Sequence, residues 1–131
     1  MRETARGLSP QSKTNEENGK KDTVFVGSSL EDLTKFPRDV QREIGYALYQ
    51  AEIGEKHHKA KPLKGFSGVW EIRSDYRTDT YRAVYATKIG NRIYVLHCFI
   101  KKSKRGISTP KKEIDLIRKR LQIARELAKG D

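Results

Sequence analysis

A carboxylate and a guanidinium two residues apart, Glu71 and Arg73, are followed by a second guanidinium, Arg82, and later by a lysine pair, Lys101 and Lys102. Together these residue types can act on a phosphodiester. RNA is cut without a metal when a base removes the 2′-hydroxyl proton, cations stabilise the charge of the phosphorane and an acid protonates the departing 5′-oxygen. A guanidinium suits the second task because its planar fork makes two parallel bonds to phosphate oxygens. Glu71 is the carboxylate nearest the cations, and positive charge around it favours its ionised form. It therefore reads either as a base or as the group that orients an arginine. The ordinary alternative is a solvated set of cross-strand ion pairs, which contribute little.

The elements that must position these residues are strands. Val69–Tyr85 (VWEIRSDYRTDTYRAVY) alternates apolar and polar residues at period two on either side of a polar stretch, Ser74–Thr80, and predicts an antiparallel hairpin with its turn there. Asn91–Ile100 (NRIYVLHCFI), entered through Gly90-Asn91, is almost continuously apolar and predicts a strand buried on both faces at the sheet centre. Alternation lets only one of Lys101 and Lys102 share a face with Glu71, Arg73 and Arg82. Arg82 is expected to be exposed and to matter little for stability.

The remaining chain supplies cover. Residues 1–21 are polar and predict a flexible tail, and 22–131 a single folded domain. Asp22–Gly27 predicts a short strand, and Ser28 with Glu31 a capping box that opens a helix carrying Leu30, Leu33 and Phe36. Pro37–Glu52 predicts a second helix with Val40, Ile44, Ala47, Leu48 and Ala51 on one face. Thr109-Pro110, as N-cap and first helical residue, opens a final helix with the stripe Ile114, Ile117, Leu121, Ala124 and Leu127. The expected fold is α+β, β-α-α-β-β-β-α, with an antiparallel sheet, helices packed on one face and the other face open.

Two basic segments flank the sheet. Gly54–Gly68 contains Lys56, Lys59, Lys61, Lys64, His57 and His58 against one acid, and Lys101–Lys112 carries six cations and no acid. Lys61, Lys64, His58, Lys104 and Arg105 are the candidate RNA-binding residues at the rim of the cleft. The His57–His58 pair lacks a third ligand at metal-binding spacing, so neither a metal nor a cofactor is expected. The acids are not clustered as a two-metal nuclease requires.

The 131 residues carry a net charge of +11 and are 34 % charged, against an average of about 25 %. Residues 1–22 hold five Lys/Arg and four Asp/Glu, so nearly all the excess belongs to the folded part. Such a surplus implies a polyanionic partner. No apolar run is long enough to span a membrane, and no secretory signal is evident. The single cysteine, Cys98, sits in an apolar strand and reads as a buried thiol in a cytoplasmic protein.

The segments SSLEDLTKF (Ser28–Phe36), AKPLKGF (Ala60–Phe66), WEIR (Trp70–Arg73), DTYRAVY (Asp79–Tyr85), VLHCFIKKS (Val95–Ser103) and TPKKEIDL (Thr109–Leu116) resemble the phage-derived HigB-like branch of the RelE/ParE toxin superfamily. The resemblance covers about Thr23–Ala128. It implies a RelE-like fold and a type II toxin that cleaves mRNA in the ribosomal A site and is neutralised by a HigA-like helix-turn-helix antitoxin. It carries catalytic roles onto Arg73, Arg82 and Lys101/Lys102; Glu71 stands where relatives often have a lysine or another polar group. The alternatives are a ParE-like gyrase poison, which needs no catalytic residues, and a non-enzymatic RNA-binding module. The latter is weakened because most aromatics fall at core-facing positions instead of forming a base-stacking platform.

Overall fold

A computed structural model describes residues 19–101 and 109–130. Strand β1 (Asp22–Phe25) leads into helices α1 (Ser29–Thr34) and α2 (Arg38–Glu52). A two-residue edge strand β2 (Lys61–Pro62) follows, then β3 (Val69–Tyr76), β4 (Asp79–Ile89), β5 (Arg92–Lys101) and helix α3 (Lys111–Lys129). The five strands form one sheet in the order β1-β5-β4-β3-β2.

The α+β class stands, with three corrections. The sheet is mixed, because β1 runs parallel to β5 while the other pairs are antiparallel. Helices α1 and α2 and strands β2–β4 all lie between β1 and β5 in sequence, which gives the long crossover that a parallel pair requires. Secondly, β2 adds a strand from the basic connection. Thirdly, helices cover both faces. Ile72, Tyr81, Ala83, Tyr85, Ile93 and Val95 pack with Val40, Ile44, Ala47 and Leu48 of α2. On the other side Val69, Val84, Ala86, Tyr94 and Leu96 pack with Ile117, Leu121 and Ala124 of α3. The face expected to be open is thus half closed by α3. Alternation along β3 and β4 had to serve two cores, and a second core is what the apolar stripe of α3 requires.

Local details also differ. The β3–β4 strands run on through most of the expected turn and reverse at Arg77–Thr78, with Arg77 at φ 57°. Two residues suffice because such a left-handed conformation matches the twist of a hairpin. Ser28 makes no capping bond; its hydroxyl donates to Asp32 Oδ2 at 2.8 Å. Pro110, not Thr109, occupies the N-cap of α3. Leu30 and Leu127 of the expected stripes are about half exposed, at 48 % and 49 %. β5 is interior and buried on both faces as expected, although β4 takes the central place.

A bulge in β5 opposite Val84/Tyr85 bears on the site. Val84 pairs with His97 and Tyr85 with Val95, so Leu96 is the extra residue. Arg120 of α3 donates from Nη1 to the Leu96 carbonyl and from Nη2 to Ser28 Oγ, each at 3.0 Å. This guanidinium ties α3 to the sheet and to the β1–α1 corner. Gly27 lies beneath it at φ 60°, and a Cβ there would come within 2.8 Å of Arg120 Nε. Gly27→Ala is therefore expected to lower stability by about 1–3 kcal/mol through left-handed strain and displacement of a doubly bonded side chain. A urea denaturation curve superimposable on the parent's would contradict this.

Cys98 is buried. Burial, with Asp32 nearby, pushes its thiol up to about 12, and Arg120 offsets part of this. It remains a protonated core side chain at neutral pH.

Candidate phosphodiester-binding site

Glu71 and Arg73 of β3 and Arg82 of β4 share the α3-side face with Val69 and Val84. Arg73 and Arg82 are direct cross-strand partners. Two guanidinium groups face to face repel each other. Glu71 removes the conflict: Arg73 Nε donates to its Oε1 and Arg82 Nη1 to its Oε2, both at 3.1 Å. Glu71 and Arg82 are 5 % and 2 % exposed, whereas the Arg73 side chain keeps 34 % of its surface. The carboxylate is thus sealed inside and aims one arginine outward.

Thr109 completes the group. Released from the helix N-cap by Pro110, its hydroxyl accepts from Arg82 Nη1 at 3.3 Å and donates to Glu71 Oε2 at 3.1 Å. One turn further, Glu113 accepts from His97 Nε2 at 2.7 Å. Thr109, just ahead of α3, and Glu113, in its first turn, therefore bind the sheet on the two sides of Val84. His97 is buried, its ring stacks on Phe99 with centroids 4.6 Å apart, and its Nδ1 has no hydrogen-bond partner among the described residues.

Lys101 pairs with Thr80, two residues before Arg82, and its side chain is buried on the same face. Its pKa is lowered by burial and by the neighbouring charges of Arg82 and Arg73, with Glu71 opposing the shift. Lys101 thereby faces the site. Lys102, Lys104 and Arg105 lie outside the described residues. Lys61 pairs with Glu71 across the β2–β3 edge and is exposed, and Lys64 is exposed just beyond it. His58 belongs elsewhere. It stacks on His57 at 4.4 Å, and His57 meets Tyr46 of α2 edge-on, so the histidine pair joins the helix on the opposite face.

Arg82 departs most from its sequence expectation. It is a buried partner of a buried carboxylate, not an exposed strand arginine, because α3 and Thr109 close over it. His97, Glu113 and Thr109 were not singled out as site residues. For His97 a signal existed: counting back by twos from Lys101 through Phe99 reaches it, a lone polar ring in an apolar run. For Thr109 and Glu113 none did, since only the packing of α3 brings them to the sheet.

A mixed sheet clad by helices, with a carboxylate-organised arginine pair and a lysine on one face, defines a small basic α+β domain with a candidate anion-binding face. Residues 31–122 match the family model of the phage-derived Gp49-like proteins (DUF891), so the chain belongs to that family, one of RelE/toxin-like proteins. None of the curated proteins matches the sequence. Among the described residues no helix is long and apolar enough to cross a membrane.

Proposed function

We propose that this protein is a HigB-like toxin of a type II toxin–antitoxin system, cleaving mRNA on the ribosome and held in check by a helix-turn-helix antitoxin encoded beside it. The observation that carries the reading is the buried Glu71, which holds Arg73 and Arg82 on one rigid face beside Lys101. A passive RNA-binding surface needs charge alone. It does not need a sealed carboxylate aiming a guanidinium that is one-third exposed.

In this reading Arg73 and Lys101 meet the scissile phosphate, Arg82 supports Glu71 from behind, and Lys61 and Lys64 guide the RNA backbone along the β2 edge. With its oxygens engaged by Arg73, Arg82 and Thr109, Glu71 orients Arg73 instead of removing the 2′-hydroxyl proton. Inducing the protein in cells and mapping mRNA 5′ ends tests the activity. New in-frame 5′ ends are expected; relaxed or broken plasmid DNA with intact mRNA would replace the reading by a gyrase poison.

The role of Glu71 has its own test. Glu71→Gln is expected to slow single-turnover cleavage on programmed ribosomes by less than about tenfold, whereas loss of a general base costs about 10²–10⁴-fold. A drop in the latter range with binding intact would make Glu71 the base.

Lys101 predicts opposite pH trends for activity and stability. Its charged form is the useful one, so cleavage should fall as pH rises through its lowered pKa, before the ordinary lysine value of 10.5. Between that pKa and 10.5 the unfolded chain binds more protons than the folded one, so the stability contribution of Lys101 rises over the same window. Lys101→Arg should remove the early alkaline loss of cleavage. An unchanged pH profile in that variant would discount the role of Lys101.

A further inference from the structure

A cleft lies on the α2 side of the sheet. It encloses about 380 Å³, within the range of roughly 300–1,000 Å³ common to small-molecule pockets. Ala51, Trp70 and Tyr85 contribute its apolar lining, and Lys21, Lys56 and Lys88 its positive charge, against the single carboxylate of Glu55. Trp70 adjoins Glu71 on β3, so the two side chains leave opposite faces of the sheet. This cleft is therefore separate from the Glu71–Arg73–Arg82 group and plays no part in the chemistry described above.

Its parts fit one class of ligand. Trp70 is half-buried, and the side chain over its ring is the exposed Lys56, with Nζ 5.0 Å from the centroid. A flexible lysine can swing aside, leaving the indole to a planar base. Lys21 is fixed by a 3.0 Å bond from Nζ to the Thr87 carbonyl, which holds one ammonium at the cleft wall. An ammonium carries three donors, so this anchor does not exhaust it. The Tyr85 hydroxyl, pushed up to about 12 by burial, is neutral at physiological pH, as an ordinary tyrosine would be, and adds no negative charge to the lining.

An acidic peptide fits less well. Strand addition needs an unpaired edge, yet Trp70 is already paired on both sides, to Pro62 and to Tyr85. A flat aromatic group bearing an anion satisfies both the indole and the lysines. We propose that this cleft binds a 5′-phosphorylated nucleotide, with the base against Trp70 and the phosphate among Lys21, Lys56 and Lys88. The proposal is independent of the cleavage reading.

Trp70 is the only tryptophan in the chain, so its fluorescence reports occupancy of the cleft directly. Titrating the full-length protein with 5′-AMP at physiological salt should give saturable quenching in the sub-millimolar range. Adenosine should bind about tenfold more weakly, a loss of ~1.4 kcal/mol. Inorganic phosphate alone should leave the signal unchanged. Lys56→Ala/Lys88→Ala should weaken 5′-AMP about tenfold or more. Lys112→Ala/Lys119→Ala, which removes the same charge from exposed positions on α3, should not.

Two sources share this chemistry. A 5′-phosphorylated tetraadenylate binding at least about tenfold more tightly than 5′-AMP would identify an RNA 5′ end, and equal affinity a free nucleotide; either supports the site. Absence of saturable quenching by both ligands overturns the proposal. So does equal weakening by the two double variants, or competition by hexaglutamate as effective as by 5′-AMP itself.

Discussion

Arg82→Ala is expected to destabilise the protein by about 3–5 kcal/mol, because it leaves the carboxylate of Glu71 buried with one of its two arginines gone. Arg82 is 2 % exposed and Glu71 5 %, so solvent cannot replace the lost partner. Arg73 and Thr109 still reach the carboxylate, which places the cost toward the lower end of that range. Denaturant unfolding gives the number directly. Loss of activity in this variant would be uninformative about catalysis, since a largely unfolded population does not cleave. Glu71→Ala/Arg82→Ala completes the argument. Removing both charges should recover part of the loss, with a coupling energy of about 0.5–3 kcal/mol. A single variant within a few tenths of a kcal/mol of the parent would show that Arg82 is not the buried support described here.

Arg73→Ala should show the reverse pattern. Its side chain is one-third exposed, although the carboxylate it bonds is buried, so its removal should cost less stability than that of Arg82, about 1–3 kcal/mol. If it meets the developing phosphorane charge, cleavage on programmed ribosomes should fall by about 10²–10³-fold, the loss associated with one preorganised donor to a transition-state oxyanion. Arg73→Lys keeps the charge and loses the fork, and should recover only part of the rate. The two arginines are direct cross-strand partners, yet one is expected to report on folding and the other on chemistry. Equal rates for Arg73→Ala and the parent would remove the site assignment and leave the fold untouched.

The cleft around Trp70 adds a consequence for partner binding. A nucleotide held there would occupy the α2 side of the sheet and leave the Arg73 side open. An antitoxin that covers one face need not compete with a ligand on the other.

Much of this protein was legible in its sequence because local rules carried it. Alternation in VWEIR and YRAVY placed Glu71, Arg73 and Arg82 on one face, since side-chain direction along a strand depends only on the parity of the residue number. The stripe of α2 appeared with every core residue correct, because a helix repeats its face every 3.6 residues whatever lies opposite. Burial of Cys98 followed from its apolar strand.

What tertiary structure decided is which faces are covered and what closes them. No local pattern states that β1 pairs in parallel with β5, because pairing partners are chosen by long-range packing. Nor does any state that α3 lies across the Arg82 side of the sheet. That one placement turned an expected surface arginine into a buried one and carried Thr109, already displaced from the N-cap by Pro110, to bridge Glu71 and Arg82. It also brought Glu113 to His97. The sequence by itself determined which side chains share a face. Desolvation by a distant helix decided which of them became support and which remained open to a substrate, because burial depends on what packs above a residue and not on the residue's own neighbours in the chain.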